Sequence, residues 1–114
     1  HIYSLSITIL NAAKNKVSKG PRPIPPDRLD ELRAATLDYL HESAELFLNF
    51  NEDELYELNI IFERGGKQSK FPIWNLINGP ISDALYHTGQ VVSFRRTSGN
   101  PISKGVNVFL GVKN

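Results

Sequence analysis

The chain contains no cysteine. Disulfides and thiolate metal sites are therefore excluded, and any metal must be held by His, Asp or Glu. No apolar run approaches the ~18 residues of a membrane span. No basic stretch followed by an apolar segment and a small-residue cleavage site marks a signal peptide. An excess of one charge is also lacking: 13 Lys and Arg face 12 Asp and Glu, for a net charge of +1. That leaves no electrostatic footprint for nucleic acid or an anionic membrane. With 114 residues, 40% of them hydrophobic and 22% charged, the composition suits one globular domain in the cytoplasm.

The first residue is His1, and Ile2-Tyr3-Ser4-Leu5 already has the character of a helix interior. A preceding element is therefore expected. A processed N-terminal histidine that binds copper through its amine and ring is the other reading of His1, and nothing else in the chain supports it. Residues 1–17 predict a helix, with His1, Leu5, Ile9 and Ala12 on one face. Lys14, Lys16 and Lys19 suit its C-terminal end. Four prolines between Pro21 and Pro26 then force an extended crossover.

Asp27 is the expected N-cap of a second helix reaching Phe47 or Leu48. Leu29, Leu32, Leu37, Leu40, Ala44 and Phe47 form its expected buried stripe. Thr36 falls within that stripe, where its hydroxyl can bond a carbonyl one turn back. The acidic stretch 49–58 fits a turn and a short helix. Gly65-Gly66, between two short extended runs, signals a hairpin. A long helix is expected from Pro72 to Ser98, kinked or split by Asn78-Gly79-Pro80. The tail from Val106 to Leu110 reads as extended.

The chemistry concentrates in Asp83-Ala84-Leu85-Tyr86-His87-Thr88-Gly89-Gln90. Asp83 and His87 are one helical turn apart and leave the same face. On a wheel of about 100° per residue, Phe94 and Leu76 fall within roughly 20° of Asp83, and His87 near 40°. The pair and Gln90 therefore sit at the margin of an apolar stripe, where burial is expected. A buried carboxylate must be paired or must coordinate a metal. Three readings stay open: a structural polar pair with Gln90, two ligands of a metal, or a solvated pair. His1 lies on the apolar face of the first helix and could supply a third ligand. Two histidines and one carboxylate with open positions suit Zn²⁺ or Fe²⁺. His41 and Glu45 repeat the spacing on the second helix, at the edge of its stripe, and read as solvated. The serines sit in no Gly-x-Ser-x-Gly setting, and Gly65-Gly66-Lys67 lacks the spacing of a phosphate loop.

The segment Asp83 to Val91 resembles the last-helix motif of the DinB/YfiT-like metalloenzymes, in which His-x-x-x-His-Arg-Gly-Gln is common. The similarity is specific at His87-x-Gly89-Gln90. His1, followed by apolar residues, matches the family's other ligand position, and the acidic stretch and hairpin match its lead-in to the last helix. Asp83 stands where the family usually has His, and Thr88 where it has Arg. The resemblance implies a mainly α fold. That fold is an up-down-down-up four-helix bundle with a short β-hairpin before the last long helix, and its first helix has no counterpart here. It implies His1, Asp83 and His87 as ligands of a divalent metal, zinc or nickel foremost. Gln90 and Tyr86 would lie behind them. It further implies a metal-activated nucleophile, a small-molecule substrate such as a low-molecular-weight thiol, and thiol S-transferase or hydrolase chemistry. Several members are homodimers. The competing expectation is a non-catalytic helical scaffold that keeps a structural Asp-His pair.

Overall fold

The computed structural model describes residues 1–108 and 110–113. Helix α1 spans Ile2–Ala13 and is opened by the Leu5 N–H, which donates to the His1 carbonyl at 3.0 Å. It ends four residues earlier than the periodicity suggests. Asn15 takes a left-handed φ of 51°, and the Lys16 N–H closes back on the Asn11 carbonyl at 2.7 Å. Asparagine tolerates that conformation better than most residues, so it can terminate the helix. The freed residues Val17–Lys19 become strand β1, so Lys19 is not a helix-end cation.

After the proline crossover, α2 runs Leu29–Leu48. Arg28, not Asp27, is its N-cap, and Asp30 and Glu31 occupy the first turn. Thr36 Oγ1 donates to the Leu32 carbonyl at 2.7 Å, as its position in the helix suggests. The stripe is narrower than expected. Leu40 and Phe47 lie against the core, whereas Leu29, Leu37 and Ala44 are exposed. Helices α1 and α2 are joined by the Tyr3 and Tyr39 rings, 5.8 Å apart, and by an ion pair between Lys14 and Glu42.

A short helix α3, Glu52–Glu57, starts at a capping box in which Asn51 and Glu54 bond each other's backbone N–H. Strands β2 (Asn59–Arg64) and β3 (Lys67–Pro72) then form an antiparallel hairpin. Gly65 and Gly66 have φ of 56° and 75°, as a tight two-residue hairpin turn requires. Strand β1 adds in parallel to β2, with Val17 opposite Ile61 and Lys19 opposite Glu63. The expected hairpin is thus one part of a three-stranded sheet ordered β1-β2-β3.

The long terminal helix is split, as Asn78-Gly79-Pro80 predicts. Gly79 has non-helical dihedrals within a π-like turn, Ile77–Ile81, and α4 follows as Ser82–Thr97. Two strands, β4 (Val106–Asn107) and β5 (Val112–Lys113), pair at the tail. Of the tail expected to be extended, Phe109 lies outside the described residues.

The four-helix bundle expectation is overturned. Among the described residues, four helices and two small sheets make a mixed α/β fold. The physical reason lies in the core, where Ile9 and Ala12 of α1 meet Leu58, Ile60, Ile73 and Leu76 from in and around the hairpin. The sheet occupies the place that bundle helices would fill. Burying each of these isoleucine and leucine side chains contributes about 1.5–3 kcal/mol.

Candidate metal centre

Helix α4 contributes no buried residue. Leu85, Val91 and Phe94 face solvent, Phe94 with 68% of its surface exposed. The helical wheel put Phe94 near Asp83 on a stripe expected to be buried, but that stripe is exposed along α4. Asp83 and His87 accordingly retain 44% and 30% exposure of their side chains. Burial of the carboxylate is therefore not what demands a partner.

The partners are nonetheless there. His1 Nε2 lies 3.0 Å from Asp83 Oδ2. His87 Nε2 lies 3.3 Å from Asp83 Oδ1, so one carboxylate lies between two imidazoles. The two rings meet edge to face with centroids 4.6 Å apart. One donor atom from each of His1, Asp83 and His87 falls within 4.8 Å of the others. This brings the N-cap residue of α1 to the first turns of α4, across 82 positions of sequence. The Gly79-Pro80 break makes that possible by letting α4 leave in a new direction from the Ile73–Leu76 core anchor.

Gln90 sets the ring of His87. Its Oε1 can only accept, so His87 Nδ1–H donates to it, at 2.7 Å. In the neutral ring the Nε2 lone pair then points at a carboxylate oxygen. Two acceptors facing each other need a cation or a proton between them. The donor set thus fits a divalent ion: two imidazole nitrogens, one carboxylate and an outer hydrogen bond that fixes a tautomer. The Tyr86 ring lies 5.4 Å from that of His87 but is itself exposed. His41 and Glu45 are exposed on α2 and take no part.

His1 and Asp83 also line a cleft of ≈ 730 Å³. One wall is α1, through Ser4, Thr8 and Asn11, with Asn78 of the kink. The other wall is the hairpin, through Phe62 and Phe71. Outside the cleft, the Asn59 N–H at the start of β2 donates to Asn15 Oδ1, just past α1, at 3.3 Å. The sequence reading did not anticipate this cleft, because it depends on how β1 and the hairpin meet α1. No helix among the described residues is long and apolar enough to cross a membrane. Scans of this chain against protein-family models, curated proteins and solved structures find no match.

Proposed function

We propose that this chain is a divalent-metal-dependent enzyme domain, with the ion held by His1, Asp83 and His87. The observation that carries the reading is the convergence of these three donors from the N-cap of α1 and from α4, with Gln90 orienting one of them. The likeness of Asp83 to Val91 to the DinB/YfiT-like motif supports the same reading and suggests zinc or nickel. It also suggests hydrolase or thiol S-transferase chemistry on a small molecule, in a cytoplasmic and homodimeric protein.

Each side chain has a defined part in this proposal. His1 and His87 supply neutral nitrogen donors, and Asp83 supplies the one negative charge. Gln90 holds the His87 ring so that Nε2 is the free nitrogen. His1 and Asp83 border the cleft, so a substrate in it would reach the ion directly. A divalent ion held here supplies Lewis acidity that polarises a substrate and acidifies a nucleophile beside it. Three protein donors leave coordination positions open for that purpose.

A second reading rests on a specific observation as well. The His1 and His87 Nε2 atoms lie 3.0 Å and 3.3 Å from the Asp83 carboxylate, within ion-pairing distance, as in a structural cluster of a non-catalytic scaffold. Elemental analysis of chain purified from zinc- or nickel-supplemented medium separates the two. The metal reading expects about one ion per chain, set by a single closed ligand group. It expects that ion to be lost in Asp83→Ala and in His87→Ala and kept in His41→Ala. A metal-free wild-type chain that also fails to take up zinc in titration would leave the scaffold reading.

A further inference from the structure

The hairpin wall of the cleft carries charge that its own fold does not neutralise. Arg64 and Lys67 flank the Gly65-Gly66 turn and are direct cross-strand partners. Like charges placed directly opposite destabilise a strand pair. Arg22, three residues beyond β1, lines the same cleft as Arg64. No hydrogen bond or ion pair engages the side chains of Arg22, Arg64 or Lys67 among the described residues. The neighbouring carboxylate is already engaged. Glu63 Oε1 lies 3.3 Å from Lys19 Nζ, and Gln68 Nε2 donates to Glu63 Oε2 at 2.9 Å.

An aromatic surface lies beside these cations. Alternation along the hairpin puts Phe62 and Arg64 of β2 on one face with Lys67, Ser69 and Phe71 of β3. These five line a shallow second depression of ≈ 350 Å³ adjoining the cleft. The Phe62 and Phe71 rings pack edge to face, with centroids 6.2 Å apart, and Phe71 remains exposed. Flat apolar surface next to two guanidinium groups and an ammonium matches one kind of ligand. Arginine presents a planar fork of donors to phosphate, and an exposed ring offers a stacking face.

We infer that this hairpin face is a binding subsite for a small phosphorylated molecule with a planar ring. Arg22, Arg64 and Lys67 take the phosphate, and Phe62 and Phe71 take the ring. Its role as a substrate subsite rests on the metal reading above, because His1 and Asp83 border the same cleft as Arg22 and Arg64. Binding of the anion does not rest on it.

The experiment uses the full chain stripped of metal with EDTA, so that coordination of phosphate to an ion cannot contribute. Phenyl phosphate, inorganic phosphate, benzoate and benzyl alcohol are each titrated and followed by calorimetry and by amide chemical shifts. Phenyl phosphate is expected to bind, with shifts at residues 62–71, at least about tenfold more tightly than benzyl alcohol, as charge-assisted bonds imply. The double variant Arg22→Gln/Arg64→Gln is expected to weaken it about tenfold or more and to leave zinc uptake unchanged. Phe71→Ala weakens phenyl phosphate and spares inorganic phosphate. Tighter binding of benzoate than phenyl phosphate would overturn the phosphate assignment. Equal binding by wild type and the double variant would overturn the subsite. His87→Ala is expected to bind phenyl phosphate as wild type does, so loss of the metal reading would show separately, as absent ion with intact anion binding.

Discussion

Gln90 Oε1 lies 2.7 Å from His87 Nδ1, and this contact decides which nitrogen of the ring faces Asp83. Because the amide oxygen accepts, the proton of the neutral ring stays on Nδ1 and Nε2 is left to bind. Outer contacts of this kind commonly contribute a factor of about 10–100 in metal affinity. Gln90→Ala is expected to weaken zinc binding by about that factor, read by competition with a chromophoric chelator. Gln90→Glu keeps an acceptor one turn away and is expected to retain most of the affinity. Unchanged affinity in Gln90→Ala would mean that Gln90 does not set the ring.

The core and α4 make opposite demands on stability. Ile60 is 1% exposed and sits between α1 and the residues around the hairpin. Ile60→Ala removes buried methyl groups and leaves a cavity, so it is expected to cost about 2–5 kcal/mol in urea unfolding. Leu85 is of similar size but exposed on α4. Leu85→Ala is expected to change stability by no more than about 0.5 kcal/mol. A large loss there would show that the Leu85 side of α4 is covered in solution.

Glu63 gives the chain a signed pH dependence. Gln68 donates to its carboxylate and Lys19 lies beside it, and both hold its pKa below the ordinary carboxyl value. The unfolded chain then binds the proton more readily than the folded one. The stabilisation is present above the unfolded pKa, near about 4.3 for glutamate, and is lost as pH falls through the lower folded value. Unfolding midpoints of wild type and Glu63→Gln should differ at pH 6 and converge as the pH drops below that window. A constant difference at all pH values would count against the linkage.

These elements differ in how legible they were before the structure. Gly65-Gly66 announced a hairpin because a two-residue turn needs positive φ at both positions, and glycine supplies it without strain. Asn78-Gly79-Pro80 announced a helix break for an equally local reason. Strand β1 could not be read in the same way. It is only three residues long, and its partner Ile61 lies 44 positions beyond Val17. The four-helix expectation failed chiefly there and at the hairpin core, since long-range strand pairing leaves no periodic trace in so short a segment. On α4 the wheel placed Asp83, His87 and Gln90 correctly relative to one another. It could not say whether their face was covered, because periodicity reports which residues share a face and not what lies opposite. His1 was legible by its position on the α1 face, and the cleft cations were not.

Helix α4 buries nothing and follows a break at Gly79-Pro80, yet it carries two of the three candidate ligands. The third, His1, caps the start of α1. Any ion bound by all three is thus a clasp between two helices, and its measured affinity includes the work of bringing them together. If α4 were docked in only about a tenth of ion-free molecules, apparent affinity would fall about tenfold below the intrinsic value. The reverse also holds, since metal binding and local ordering are one linked equilibrium. Amide hydrogens of residues 82–97 are expected to exchange more slowly with zinc than without it, while those of β2 change little. Equal protection of α4 in both states would show that the helix is held by something other than the clasp. Were an ion bound in this way, its free concentration would tune the order of α4, and the triad would sense the ion as well as hold it.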